Sequence, residues 1–151
     1  MARSLTIALA LSALLASIGP KAQSHRLKGA WRVVAVTLAD GRTEMSPQPG
    51  IYIFTDRHYS VQRVNALRAA LPEKPSDGEL LAAFGPYTAN SGTYEVRGTL
   101  LKTTAMVAKN PNAMVGQSST AELTFEGNAV VHVTSPNPGG STIVTKLQRL
   151  E

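Results

Sequence analysis

The sequence contains no cysteine. That excludes a disulfide framework, a thiolate nucleophile or metal ligand, and a lipidated cysteine after an export signal. Aromatic residues are few: three Phe, four Tyr and one Trp. They do not interleave with the basic residues, as a stacking platform for single-stranded nucleic acid requires. Charged residues make up 17% of the chain, below the usual quarter or so. The basic ones are scattered with no block of like charge, so neither a polyanion-binding tract nor a charged tail is present. No Gly-x-Ser-x-Gly elbow occurs, and no glycine-rich loop precedes a helical pattern, which argues against a serine hydrolase and a nucleotide site. The three histidines, His25, His58 and His132, do not fall at metal-ligand spacing within one element, and no metal or cofactor is expected.

What is present begins with a leader pattern. Arg3 precedes an uncharged stretch from Leu5 to Ile18, and Gly19-Pro20 breaks it. One positive residue, a short apolar run and a breaker are the order of a cleaved secretory signal. The run is shorter than the ~20 residues a spanning helix needs, and no second apolar stretch follows, so no membrane span is expected after cleavage. The expected division is a signal over residues 1–22 and one domain over 23–151, exported to a periplasmic or extracellular space. Removing residues 1–22 takes away Arg3 and Lys21 and leaves 13 basic against 10 acidic residues, a net +3. That mild balance gives no reason to expect a nucleic-acid partner.

The remainder reads as strands. Residues 30–38 are β-branched and aromatic and end at Asp40-Gly41. Residues 51–54 and 59–64 flank a turn at Asp56-Arg57 and form a hairpin. Residues 93–96 and 99–108 follow, then 118–125, 129–134 and 143–150, separated by turns such as Arg97-Gly98 and Glu126-Gly127-Asn128. One short helix interrupts them, where Ser76 and Glu79 stand at capping-box spacing and Gly85-Pro86 stops the pattern. Eight short antiparallel strands predict an all-β fold, an eight-stranded up-and-down barrel with one short helix in a connection; a two-sheet sandwich is the alternative.

Several segments, taken in order, resemble the bacterial lipocalin-like domain family of calycin-type barrels. Leu27-Lys28-Gly29-Ala30-Trp31-Arg32-Val33 resembles the opening Gly-x-Trp strand. Gly50 to Thr55 followed by Tyr59 to Gln62 is similar to the second and third strands, and Ser91-Gly92-Thr93-Tyr94 to the Gly-x-Tyr strand. Asn110-Pro111 with Val115-Gly116 resembles a Pro-to-Gly loop, and Leu147-Gln148-Arg149-Leu150 a last strand that carries an arginine. The resemblance implies that Trp31 fills one end of the barrel and that Arg149 packs across its face, a structural closure of first strand on last. It also marks departures. The family often has a histidine where Lys102-Thr103-Thr104-Ala105 stands, and an arginine where residues 117–121 have none.

By strand parity the interior includes Thr103, Ala105, Ala121, Leu123 and Thr145, a small and mostly apolar lining. No catalytic residue is assigned, since the acids Asp56, Glu95, Glu122 and Glu126 fall in turns or on polar faces. The leading expectation is a non-catalytic exported barrel that binds or carries a small hydrophobic ligand. One alternative is an isomerase or cyclase that shapes a reactive ligand, for which Tyr52, Tyr59 and Arg63 are the residues to inspect. The other is an envelope interaction or inhibitor module with a filled barrel.

Overall fold

The computed structural model describes residues 20–45, 47–114 and 116–151. Helix α1 (Pro20–Leu27) leads directly into β1 (Gly29–Thr37). After the two-residue β2 (Thr43–Glu44), the hairpin β3 (Gly50–Phe54) and β4 (His58–Val64) follows. Helix α2 (Asp77–Phe84) precedes β5 (Tyr87–Arg97) and β6 (Leu100–Ala108). A 3-10 turn at Pro111–Met114 leads to β7 (Ser118–Glu126), β8 (Val130–Pro136) and β9 (Thr142–Arg149).

From β3 to β9 every strand pairs antiparallel with the next, and β1 pairs with both β3 and β9. The eight long strands therefore form a closed antiparallel barrel, and β2 is a short flap on the outer end of β1. Closure removes the exposed strand edges on which other chains could pair. The sandwich alternative is excluded by the β1–β9 ladder, which runs from Trp31↔Arg149 to Thr37↔Val144.

Alternation fixes which side chains face inward. On β3, Tyr52 and Phe54 point in, while Ile51 and Ile53 are exposed outside. On β4 the inward set is Tyr59, Val61 and Arg63. Two bulges reset the pattern, between Val33 and Ala35 and between Ser91 and Gly92. The second requires glycine: a Cβ on Gly92 would stand 2.8 Å from Met106 N and 2.9 Å from Ala105 Cα and would also overlap Thr104 O. The backbones of β5 and β6 approach too closely there for any side chain.

The two ends of the barrel differ. At one end the connections are tight turns, 55–57, 98–99 and 127–129. Here the core is dry: Leu27, Trp31, Val131 and Leu147 are fully buried, and Phe54 meets Tyr94 edge-on at 5.2 Å. At the other end the connections are longer, 65–86, 109–117 and 137–141. The capping box of α2 forms as the sequence predicts: Ser76 N donates to Glu79 Oε2 at 2.8 Å, and Glu79 N donates to Ser76 Oγ. Lys109 Nζ donates to the carbonyls of Phe84, Gly85 and Tyr87, which places a cation at the carbonyl end of α2. No residue of α2 is buried.

Tyr94 yields a stability prediction. Its hydroxyl donates to Thr55 O at 2.7 Å. Burial first, and the nearby Asp56 charge second, push its pKa from 10.0 up to about 12. The folded state thus holds this proton more tightly than the unfolded chain does. Its contribution is complete below about pH 10 and is lost as pH rises through about 12. At roughly 1.4 kcal/mol per pH unit, the loss is on the order of 2–3 kcal/mol. Urea midpoints measured at pH 9, 10.5 and 12 should fall accordingly, and Tyr94→Phe should flatten that fall. An equal slope in the variant would remove Tyr94 as its cause.

Candidate functional site

The interior is not filled. Above the apolar floor lies a cavity of about 730 Å³ that opens between the longer connections. Its volume is within the range of small-molecule sites. The deep wall is apolar: Phe54, Tyr59, Leu101 and Val133 are all buried. Toward the mouth the wall turns polar, with Thr88 and Asn90 on β5, Asn110 before and Asn112 within the 3-10 turn, and Gln117 and Ser119 around the start of β7. The gradient follows from the connections, since polar loop residues supply the rim and paired strands supply the floor.

Of the expected interior positions, Thr103, Ala105 and Ala121 line this cavity. Leu123 does not. It is 1% exposed and lies one inward position nearer the closed end than Ala121, packed into the core. Thr145 does not line the open space either; it is buried at 5% exposure and meets the cavity wall through Arg63. Parity placed both side chains inside, but how far the core fills up from the closed end depends on depth along the barrel, which alternation does not encode.

Tyr52, Tyr59 and Arg63 all line the cavity. Burial raises the pKa of Tyr59, partly offset by its hydrogen bond to Thr103, so its phenol stays protonated at neutral pH. Among the described residues that line the cavity, Arg63 is the one that carries a charge. Its Nη1 donates to Thr145 Oγ1 at 3.3 Å, while its buried Nε has no hydrogen-bond partner. Gly50, opposite Arg63 across β3 and β4, makes room for this reach: a Cβ there would stand 3.2 Å from Arg63 Cγ and 2.6 Å from Val33 Cγ2.

Trp31 and Arg149 sit at the sealed end. They are directly paired across β1 and β9, with the guanidinium carbon 4.1 Å over the indole ring. Trp31 Nε1 donates to Leu27 O at 2.7 Å. Arg149 donates to Asn128 O at 2.8 Å, Lys28 O at 2.5 Å and Glu151 O at 3.2 Å, and also to Arg26 O. Burial lowers its pKa, and these carbonyls compensate the enclosed charge. Arg26 in turn lies 4.2 Å over the Phe125 ring and donates to Gly127 O.

The histidines lie away from the cavity. His25 is part of α1, and His58 begins β4. His132 pairs with Glu126, which also binds Lys146, on the outer face of β7–β9. Among the described residues no three His, Cys, Asp or Glu converge to hold a metal ion, and no helix is long and apolar enough to cross a membrane.

Neither a protein-family model nor a curated protein matches the sequence. Solved structures do match. A lipocalin-like protein from Bacteroides uniformis is 15% identical, with a TM-score of 0.50 over 83% of this chain and 99% of that one. A redesigned β-barrel is 17% identical, with a TM-score of 0.48 over 90% of this chain and 100% of that one. At such identities the likeness concerns architecture and carries nothing about ligands. With the β1–β9 ladder closing eight antiparallel strands, the chain has the fold of a lipocalin-like barrel.

Proposed function

We propose that this protein is exported and that its barrel binds or carries a small, mainly hydrophobic molecule without transforming it. The supporting observation is the cavity of about 730 Å³, with its apolar floor and polar rim. Such a shape lets a ligand bury its apolar part while its polar end stays near solvent. Export is supported by the uncharged run from Leu5 to Ile18 after Arg3. Those residues lie outside the described part, and a cut after Ala22 falls within α1.

Inward-facing Tyr52, Tyr59 and Arg63 are the observation that favours the catalytic reading. Among the described residues, however, the cavity lining includes no carboxylate, imidazole or amine. A tyrosine held protonated and a guanidinium can orient a ligand and polarise it, but neither takes up a proton near neutral pH. Binding is therefore the better-supported reading.

Incubating the purified mature protein with fatty acids, retinoids and quinones, followed by native mass spectrometry, tests the proposal. One-to-one adducts are expected, with a thermal midpoint that rises with ligand concentration, since ligand at 100 times Kd adds about 2.7 kcal/mol. Bare protein with an unmoved midpoint across the whole panel would overturn it.

A further inference from the structure

Arg63 is hard to explain as a structural residue. Its guanidinium lies against the barrel wall, and Nε is buried without a partner. Among the described residues its hydrogen-bond partner is a neutral hydroxyl, Thr145 Oγ1. None of the ion pairs among the described residues includes it, and no acid lies among the residues lining the cavity. Arg149 offers the contrast within the same barrel, since its enclosed guanidinium is satisfied by a set of backbone carbonyls. Arg63 is half-buried, yet an enclosed Nε–H without a partner is costly, and packing alone would be served better by an apolar side chain.

Resting on the container reading above, we infer that Arg63 is the anchor for a carboxylate and that the ligand is an amphipathic monocarboxylate. Nε is closed off from the cavity, so a carboxylate meets the guanidinium at its Nη end, where it makes a charge-assisted hydrogen bond. Thr145 holds Nη1 in place, and Gly50 clears the path of the side chain. The tail then points to the floor. Tyr59 lies two inward positions further down β4, about 13 Å along the strand and roughly 10 Å along the barrel axis. That depth suits an alkyl tail of medium length lying against Tyr59, Phe54, Leu101 and Val133.

Decanoate and 1-decanol share a tail and differ at the head group, so calorimetric titration of both separates the anchor from the container. The wild-type barrel should bind decanoate on the order of tenfold or more tighter than decanol, as for a charge-assisted pair. Arg63→Met should lose or reverse that preference while holding decanol within a few-fold. Arg63→Lys, which keeps the charge but loses the planar guanidinium that Thr145 holds in place, should fall between. Circular dichroism and the decanol affinity report whether Arg63→Met is folded; if it is not, the wild-type comparison decides alone. Wild-type preference for decanol, or an unchanged decanoate preference in folded Arg63→Met, would overturn the anchor and leave the container standing. If neither compound binds, the anchor is overturned, and the container reading is decided by the wider ligand panel.

Discussion

Replacing Trp31 by alanine should lower the unfolding free energy by about 3–5 kcal/mol, the loss found for large aromatic truncations in cores. Trp31 is fully buried, and three features converge on it. Its indole N–H ends on Leu27 O, its face carries Arg149, and its ring fills the space under Leu27 and Leu147. Alanine would leave a cavity within the closed barrel, beneath an Arg149 guanidinium held in place by backbone carbonyls. A domain of this size has only about 5–15 kcal/mol in total, so the melting midpoint should drop by roughly 10–20 °C. Urea titration followed by far-ultraviolet circular dichroism measures the change, since the variant has no tryptophan to report. A midpoint within 2–3 °C of wild type would be incompatible with this packing.

Arg149→Met should cost about 3 kcal/mol for a different reason. Methionine preserves much of the apolar stem but abandons the carbonyls of Arg26, Lys28 and Asn128, which the guanidinium gathers at one point. Two of these come from the carbonyl end of α1 and the residue after it, where a cation is favoured and unpaired oxygens are not. Arg149→Lys should recover little, because a single ammonium cannot reach carbonyls on both sides of the ring. The Trp31→Ala and Arg149→Met losses should not add. A double-mutant cycle should return a coupling of about 0.5–2 kcal/mol, the range for a cation over an indole face. Strict additivity would mean that the 4.1 Å stacking carries no energy.

The same two residues show what could be read in the sequence. Gly29-Ala30-Trp31 and Arg149 stand at the expected ends of the strand series, and the eight strands follow turn signals that local chemistry dictates. The helix at residues 77–84 was legible because Ser76 and Glu79 satisfy its first turn by themselves. Helix α1 was not, because what holds it is distant: Arg149 collects its carbonyls and Leu27 enters the core. Strand β5 was read as 93–96 but begins at Tyr87. Thr88 and Asn90 face the cavity rather than the core, so its first half lacks apolar alternation. Parity turns Thr103, Ala105 and Ala121 inward, where they line the cavity, yet it does not show that Leu123 lies below the floor. Nor could any local pattern show that Arg63 reaches past Gly50 to Thr145, a contact between residues far apart in the chain.

The seal between β1 and β9 also has a consequence for the order of events in synthesis. Its registered pair, Trp31 with Arg149, joins nearly the first and the last residues of the barrel. Contacts of such long sequence separation form late and slowly. Until the final strand leaves the ribosome, β1 has no partner on one side, Trp31 has no cation over it and α1 has nothing to collect its carbonyls. The growing chain can make its hairpins but cannot close, and so remains an open, unlatched ribbon for as long as it is being made.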